Sequence, residues 1–403
     1  MIPVEKAREI ILDKMPVLPA ERVTLESALG RYLAEDIIST LDIPPFDNSA
    51  MDGYAVRTED ARIAGVTLEI ASVLPAGSFP GQPVTTGQAV KIMTGAPIPE
   101  GADTVVRRED TVEEKARVKI NIIPARHENI RFRGEDIPAG KKILFAGDHL
   151  GPAQIGLLAS LRRPYVQVGQ RPVVAVLATG DEIVELGEES GPKAIISSNS
   201  YTLISLIRSL GALPLYLGIA RDQRSDLKAR LSHARRCDLL LTSGGVSMGD
   251  YDMVREIMKE EGNALDFWTV DMKPGKPLAF GSLSGIPAIG LPGNPVSTMT
   301  SFYQFARPAI LKMQGAREIL LPRLRARLKE GLENKGDRPH YIRAILERIG
   351  DELVVSTTGP QGSGILSSMA RGNCFIVLPK GITSLEEGSL VECEVFGGGF
   401  TLA

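Results

Sequence analysis

The 403-residue chain is predicted to be a multidomain α/β-plus-β protein, and three observations carry that prediction. Between residues 172 and 318, short β-rich apolar runs alternate with amphipathic helical segments, the pattern of a doubly wound, largely parallel sheet. Residues 44–140 break instead into short strand-like runs divided by Gly and Pro, an irregular β domain. The tail, 319–403, alternates again in a way that reads as a small β barrel. Residues 1–43 and 141–171 flank the first β region and read as one helical, linking domain into which that region is inserted.

Taken in chain order, Val4, Ala7, Ile10 and Ile11 recur at helical spacing, as do Leu25, Ala28 and Leu29, and each set predicts a helix. Strands are expected at 67–73, 89–93, 104–106 and 118–123, followed by a helix at 152–161. In the α/β region the predicted strands are 173–178, 215–219, 238–242, 265–270, 278–281 and 286–290. The helices between them are 201–210, with Leu203, Ile204, Ile207 and Leu210 on one face, 226–236, and 251–261. A last helix opens at Asn294-Pro295, an N-cap residue followed by Pro at the first helical position. The barrel strands are expected at 341–346, 353–357, 375–378 and 390–395.

Composition narrows the function classes. Lys and Arg number 46 against 49 Asp and Glu, a net charge of −3. A nucleic-acid protein needs a clustered basic surplus, so that class is set aside. The longest apolar stretches fall well short of the roughly 20 residues that span a bilayer. Residues 1–16 are interrupted by Glu5, Lys6, Arg8 and Glu9, unlike an export signal. Three cysteines without C-x-x-C spacing and four scattered histidines suggest neither a disulfide framework nor a zinc site. The expected compartment is the reducing cytoplasm.

In an open α/β sheet, ligands sit outside the carboxyl ends of the strands, so the loops there are the informative ones. After the first strand comes Thr179-Gly180-Asp181-Glu182, after the second Arg221-Asp222, and after the third Ser243-Gly244-Gly245-Val246-Ser247-Met248-Gly249-Asp250-Tyr251-Asp252. Lys273-Pro274-Gly275-Lys276-Pro277 and Leu291-Pro292-Gly293-Asn294-Pro295 follow. Gly244-Gly245 would let backbone N–H groups approach an anion, and Lys273 and Lys276 would add positive charge. Asp181, Glu182, Asp222, Asp250 and Asp252 supply hard oxygen ligands of the kind Mg²⁺ takes with phosphate and water. Neither a P-loop nor a G-x-G-x-x-G fingerprint is present. The set points to a phosphorylated or nucleotidyl ligand with a divalent ion. Each feature has a plainer reading: Gly-Gly as a turn, the acids as helix caps, Lys276 as a surface charge. Co-location at one rim is what favours a ligand site. In the inserted domain, residues 44–55, 92–97 and 129–137 form three unusual loops. For 131–136, an internal ion pair and a functional role both stay open.

Eight segments carry a family resemblance, in order: PPFDNSAMDGYA (44–55), KIMTGAPIPEGADTVV (91–106), NIRFRGEDI (129–137), ATGDE (178–182), SGGVSMGDYD (243–252), KPGKPLAFG (273–281), GLPGNPVS (290–297) and GNCFIVL (372–378). Covering essentially the whole chain, they resemble the molybdopterin molybdenumtransferase family, which includes bacterial MoeA and the E domain of gephyrin. The resemblance implies a homodimer of four-domain protomers, the α/β domain of one protomer facing the inserted domain of the other. It implies adenylylated molybdopterin and molybdate as substrates, Mg²⁺ as cofactor, and release of AMP as molybdenum enters the dithiolene. The upstream molybdopterin adenylyltransferase is implied as a partner.

Residue by residue, the resemblance assigns catalytic positions to Asp52, Thr94 and Asp136 in the inserted domain and to Glu182, Asp222 and Asp252 in the α/β domain. The last three would also hold the metal. Arg131, Gly244, Gly245, Ser247, Asp250, Lys273, Lys276 and Ser297 would bind substrate, joined by Arg343 and Ser363 of the C-terminal domain. Two positions depart from the family pattern: Ser197 stands where relatives carry Asp, and Phe132 replaces an Arg of some relatives. Two other functions share parts of these features, a molybdopterin adenylyltransferase and a non-catalytic molybdopterin-binding scaffold.

Overall fold

The computed structural model describes residues 1–188, 191–221, 223–244, 265–283 and 285–397. The chain divides into two compact bodies. The larger holds Met1–Glu35, Ala146–Ile155 and everything from Pro164 onward; the smaller holds Asp36–Phe145 with Gly156–Arg163.

At the centre of the larger body is a six-stranded sheet. Its spatial order is Leu213–Ala220, Val173–Thr179, Leu239–Ser243, Ile286–Leu291, Pro277–Leu283, Leu265–Thr269. The first four strands run parallel. Pro277–Leu283 runs against them, because a tight hairpin joins it to Ile286–Leu291 and turns at Gly285, φ +82°, and the edge strand Leu265–Thr269 pairs antiparallel with it in turn. Every residue of Val174–Thr179 is buried, as expected for a strand with both faces covered. Val174 and Val176 pack with Leu203, Ile207, Phe302, Phe305 and the opening helix residues Val4, Ala7 and Ile11. Ala175 and Leu177 face the other way, onto Leu227 and Leu231. This two-sided core is the doubly wound architecture the alternation predicted. The predicted helix at 251–261 lies outside the described residues.

The predicted helices at 201–210 and 226–236 are Ser198–Ser209 and Arg224–His233. The helix opening at Asn294-Pro295 runs Pro295–Ser301, widens into a π turn at Phe302–Ala306 and continues as Arg307–Met313. Pro308 explains the widening. It has no N–H for the carbonyl of Gln304 four residues back, and Arg8 Nε donates to that oxygen at 3.1 Å instead.

One expectation is corrected. Leu25, Ala28 and Leu29 do not open a helix: Ala20–Thr24 is a strand paired antiparallel with Tyr165–Gly169, followed by a single 3-10 turn, Leu25–Ala28. Val23 and Thr24 are β-branched and favour the strand, and Gly30 at φ +75° ends the turn.

The C-terminal strands Arg323–Leu328, Glu352–Thr357, His340–Ile349, Cys374–Leu378 and Leu390–Val395 close into a barrel filled by Leu328, Ile342, Leu346, Val355, Ile376 and Cys393. The smaller body is built on a six-stranded sheet ordered Thr104–Arg107, Gly53–Val56, Gln88–Ile92, Val66–Leu74, Arg117–Ile120, Thr111–Glu114. Among the described residues no helix is long and apolar enough to cross a membrane.

Candidate functional site

Three parallel strands end at one cleft. Val173–Thr179, Leu239–Ser243 and Ile286–Leu291 deliver Thr179, Ser243-Gly244 and Pro292-Gly293-Asn294 to its rim, and Pro277 opens the antiparallel strand beside them. The cleft is about 450 Å³ and is lined further by Glu182, Ser197, Ser198, Asn199 and Ser297. The positive end of the helix Ser198–Ser209 opens onto it, a setting that favours anions.

Local geometry holds this rim. Asn199 Nδ2 donates to Ser243 Oγ at 2.8 Å and to the Gly293 carbonyl at 2.7 Å, tying the helix to two strand ends. Gly244 sits at φ +87°, where a Cβ would lie 2.9 Å from the Thr179 carbonyl oxygen. Only glycine meets that conformation and that approach without strain. Among the described residues the buried Thr179 hydroxyl has no hydrogen-bond partner, a polar group left over beside the cleft.

The carboxylate of Glu182 is exposed and folds over Gly180: a Cβ built there would lie 2.9 Å from both carboxylate oxygens. Lys273 and Lys276 are half-buried in the loop entering Pro277. Backbone bonds fix that loop: Lys273 N to Pro339 O, Tyr341 N to Lys273 O, and Val270 N to Lys276 O, at 2.9, 2.8 and 3.0 Å. Among the described residues no hydrogen bond or ion pair engages either ammonium. Neither lysine nor Ser363 is among the residues lining the cleft; the Ser363 carbonyl accepts Val296 N–H at 3.1 Å, one residue before Ser297.

Arg343 is placed differently from its predicted role. It is fully buried. Nε donates to Ser368 Oγ at 3.0 Å, Nη1 to Gln361 O at 3.1 Å, and Nη2 to Gly362 O at 2.9 Å and to Pro360 O at 3.4 Å. Burial lowers its pKa to about 10. Arg343 therefore tethers the 360–362 loop ahead of Ser363 rather than offering its guanidinium to an anion. The predicted Asp222, Gly245, Ser247, Asp250 and Asp252 lie outside the described residues.

In the smaller body, Asp52 and Thr94 meet. Asp52 Oδ1 accepts the Thr94 N–H at 2.7 Å and the Thr94 hydroxyl at 2.8 Å; the N–H first, then the hydroxyl, hold this carboxyl below its usual pKa. Asn48–Ser49 pairs with Ile130–Arg131, and Ser49 exchanges backbone bonds with Gly95 and Ala96. The three motif loops are thus laced together at one end of this body. Arg131 and Asp136 are exposed, and among the described residues neither side chain has a polar partner. The ion pair in this loop is Arg133 with Asp42, outside 131–136, at 2.6 Å. Phe132 packs edge-on against His127, so the position that departs from the family carries an aromatic contact in place of charge.

Three family profiles match the chain in order: MoeA N-terminal region (domain I and II) over residues 2–161, "Probable molybdopterin binding domain" over 175–312, and MoeA C-terminal region (domain IV) over 325–396. Over 399 residues the chain is 38% identical to a molybdopterin molybdenumtransferase of Nostoc sp., spanning 96% of this chain and 92% of that protein. It belongs to the molybdopterin molybdenumtransferase family. A second member, from Haemophilus influenzae, is 37% identical over 402 residues, covering 98% of this chain and 99% of that one. The crystal structure of a molybdopterin biosynthesis MoeA protein from Pyrococcus horikoshii superposes with a TM-score of 0.85 at 31% identity, over 98% of this chain and all of that chain.

Within this molybdenumtransferase-family chain, sequence reasoning passed over Asn199 and Thr179 as site residues. A signal for Asn199 existed: an amide side chain in the first turn of a helix that follows a strand end. Thr179 offered none, since an unpartnered buried hydroxyl shows only in three dimensions.

Proposed function

We propose that the chain is a molybdopterin molybdenumtransferase: it cleaves adenylylated molybdopterin, releases AMP, and inserts molybdenum from molybdate into the dithiolene. The observation carrying this reading is the cleft at the carboxyl ends of the parallel strands, where Glu182, Asn199, Gly244 and Ser297 converge. Adenylylated pterin and molybdate are anionic. A chain of net charge −3 must concentrate donors locally to hold them; the N-terminus of Ser198–Ser209 opens onto the cleft, and Lys273 and Lys276, unpaired among the described residues, are the cations of this reading.

Among the described residues no group of three His, Cys, Asp or Glu converges, but Mg²⁺ bound with phosphate needs only one or two protein carboxylates. Glu182, exposed at the rim, fits that role, with Asp222 and Asp252 as the further ligands of this reading. When bound, the ion would neutralise charge on the bridging phosphates. The chain's own groups do the rest: Lys273 and Lys276 bind oxyanions, Gly244, whose N–H donates to the Leu291 carbonyl, keeps the rim free of a side chain, Asn199 fixes that rim, Ser297 lines the pocket, and Ser363 is a further substrate contact of this reading. Asp52, Thr94, Arg131 and Asp136 form the second set of functional groups in this reading, and Gly245, Ser247 and Asp250 complete the substrate contacts.

A cytoplasmic homodimer, supplied by an upstream adenylyltransferase, belongs to the same proposal. Light scattering should give twice the chain mass; a fully active monomer would contradict it. Incubation with adenylylated molybdopterin, molybdate and Mg²⁺ should release AMP and form cofactor. Glu182→Ala should lower turnover severely, to a small residual rate, with the fold intact, and normal turnover would refute its role.

A further inference from the structure

We infer that Arg221 is a positioning residue for Glu182, acting through the backbone on either side of it. The inference rests on the proposed role of Glu182 and concerns a residue to which neither the family motifs nor the cleft lining assigns a function. Arg221 Nη1 donates to the Asp181 carbonyl at 2.9 Å and to the Ile183 carbonyl at 3.1 Å. Those are the two carbonyls flanking Glu182. The carbonyl of Glu182 itself accepts Ile195 N–H at 2.9 Å, and Gly180 N–H is held by the Ala220 carbonyl at 3.2 Å. The turn that carries the carboxylate is thus fixed at four successive residues, two of them by one guanidinium.

Arg221 is fixed in turn. Its own N–H donates to Asp226 Oδ2 at 2.9 Å, and that carboxylate is shared with Arg230 Nε at 3.2 Å. Arg221 stands where Leu213–Ala220 ends and Asp226 sits in the first turn of Arg224–His233, so the brace ties an edge strand and its following helix to the acidic turn. Gly180 leaves the carboxylate the space it occupies: a methyl group there would meet both oxygens. Arg221 thus fixes the backbone from which Glu182 projects, and glycine keeps that side of the turn open to its side chain. Both bonds leave from the one nitrogen Nη1, which a lysine ammonium with its three donors could imitate, so the substitution that removes the bridge is methionine, which has a similar unbranched stem and no donor.

The test is a double-mutant cycle in the full-length protein, reading AMP release under saturating substrate. Arg221→Met should lower kcat about 100-fold, the penalty of a misplacement of order 1 Å in a catalytic group, with thermal stability and KM for molybdate little changed. In the Glu182→Gln background the same substitution should cost less than threefold, because there is no carboxylate left to place. Hydrogen exchange at the Ile195 amide should speed up in Arg221→Met. Unchanged turnover in Arg221→Met, or an equal loss in both backgrounds, would overturn the positioning role. Full turnover in Glu182→Gln would instead overturn the assignment of Glu182, and positioning with it, and faster Ile195 exchange would then mark the bridge as structural only.

Discussion

Gly244 shows how one residue's geometry can carry a site. Its left-handed conformation and the 2.9 Å approach a Cβ would make to Thr179 O leave no room for a side chain at the rim. Gly244→Ala should cost about 1–2 kcal/mol in backbone strain and at least tenfold in turnover, checked by thermal melting alongside AMP release; wild-type turnover would show that the backbone there does not approach substrate. Thr94 makes a finer case. Its N–H is the larger cause of the lowered Asp52 pKa and its hydroxyl the smaller, so Thr94→Val should raise that pKa only part of the way to the ordinary value, as an NMR titration would read. Asp52 and Thr94 were legible as two separate motif residues, and their meeting was not, because nothing in the chain marks a hydrogen bond between residues 42 apart. Arg343 was legible as a charge, but its burial depends on a loop that folds back over it.

At the scale of elements, His340 opens the barrel strand His340–Ile349 beside Lys273. Asn334 Nδ2 donates to the Ile382 carbonyl at 3.0 Å, which turns Asn334 Oδ1 toward His340 Nδ1, also at 3.0 Å. Nδ1 therefore carries the proton, and Nε2 is a buried lone pair without a donor. Burial first, then the charges of Lys273 and Arg343, push its pKa down from 6.5 to about 4. Because the folded pKa is the lower one, the stability is present above pH 6.5 and is lost as pH falls toward 4. Roughly 3 kcal/mol is at stake. His340→Asn should flatten that slope in urea midpoints taken between pH 7 and 4, and an unaltered slope would contradict the account.

Gln304 links three elements. Its side-chain oxygen accepts Arg8 Nη2 at 2.6 Å, and its Nε2 donates to the buried Glu394 at 2.5 Å. Gln304→Leu should destabilise by about 1–3 kcal/mol, measured by denaturant titration. Strand positions were legible from β-branched runs and helices from their apolar faces. The 25–29 segment was misread because three apolar residues in one turn fit a 3-10 turn as well as a helix.

Across the whole molecule, the alternation of strands and helices made the doubly wound body readable, and with it the rim where ligands collect. The antiparallel pair closing the sheet was not foreseen, since apolar runs at 277–283 and 286–291 carry no direction. What the rim does as a unit is the central claim, and the full-length protein tests it in one assay. With adenylylated molybdopterin, molybdate and Mg²⁺, AMP should appear in step with molybdenum cofactor. Absence of AMP, or consumption of ATP with adenylylated pterin as product, would contradict it.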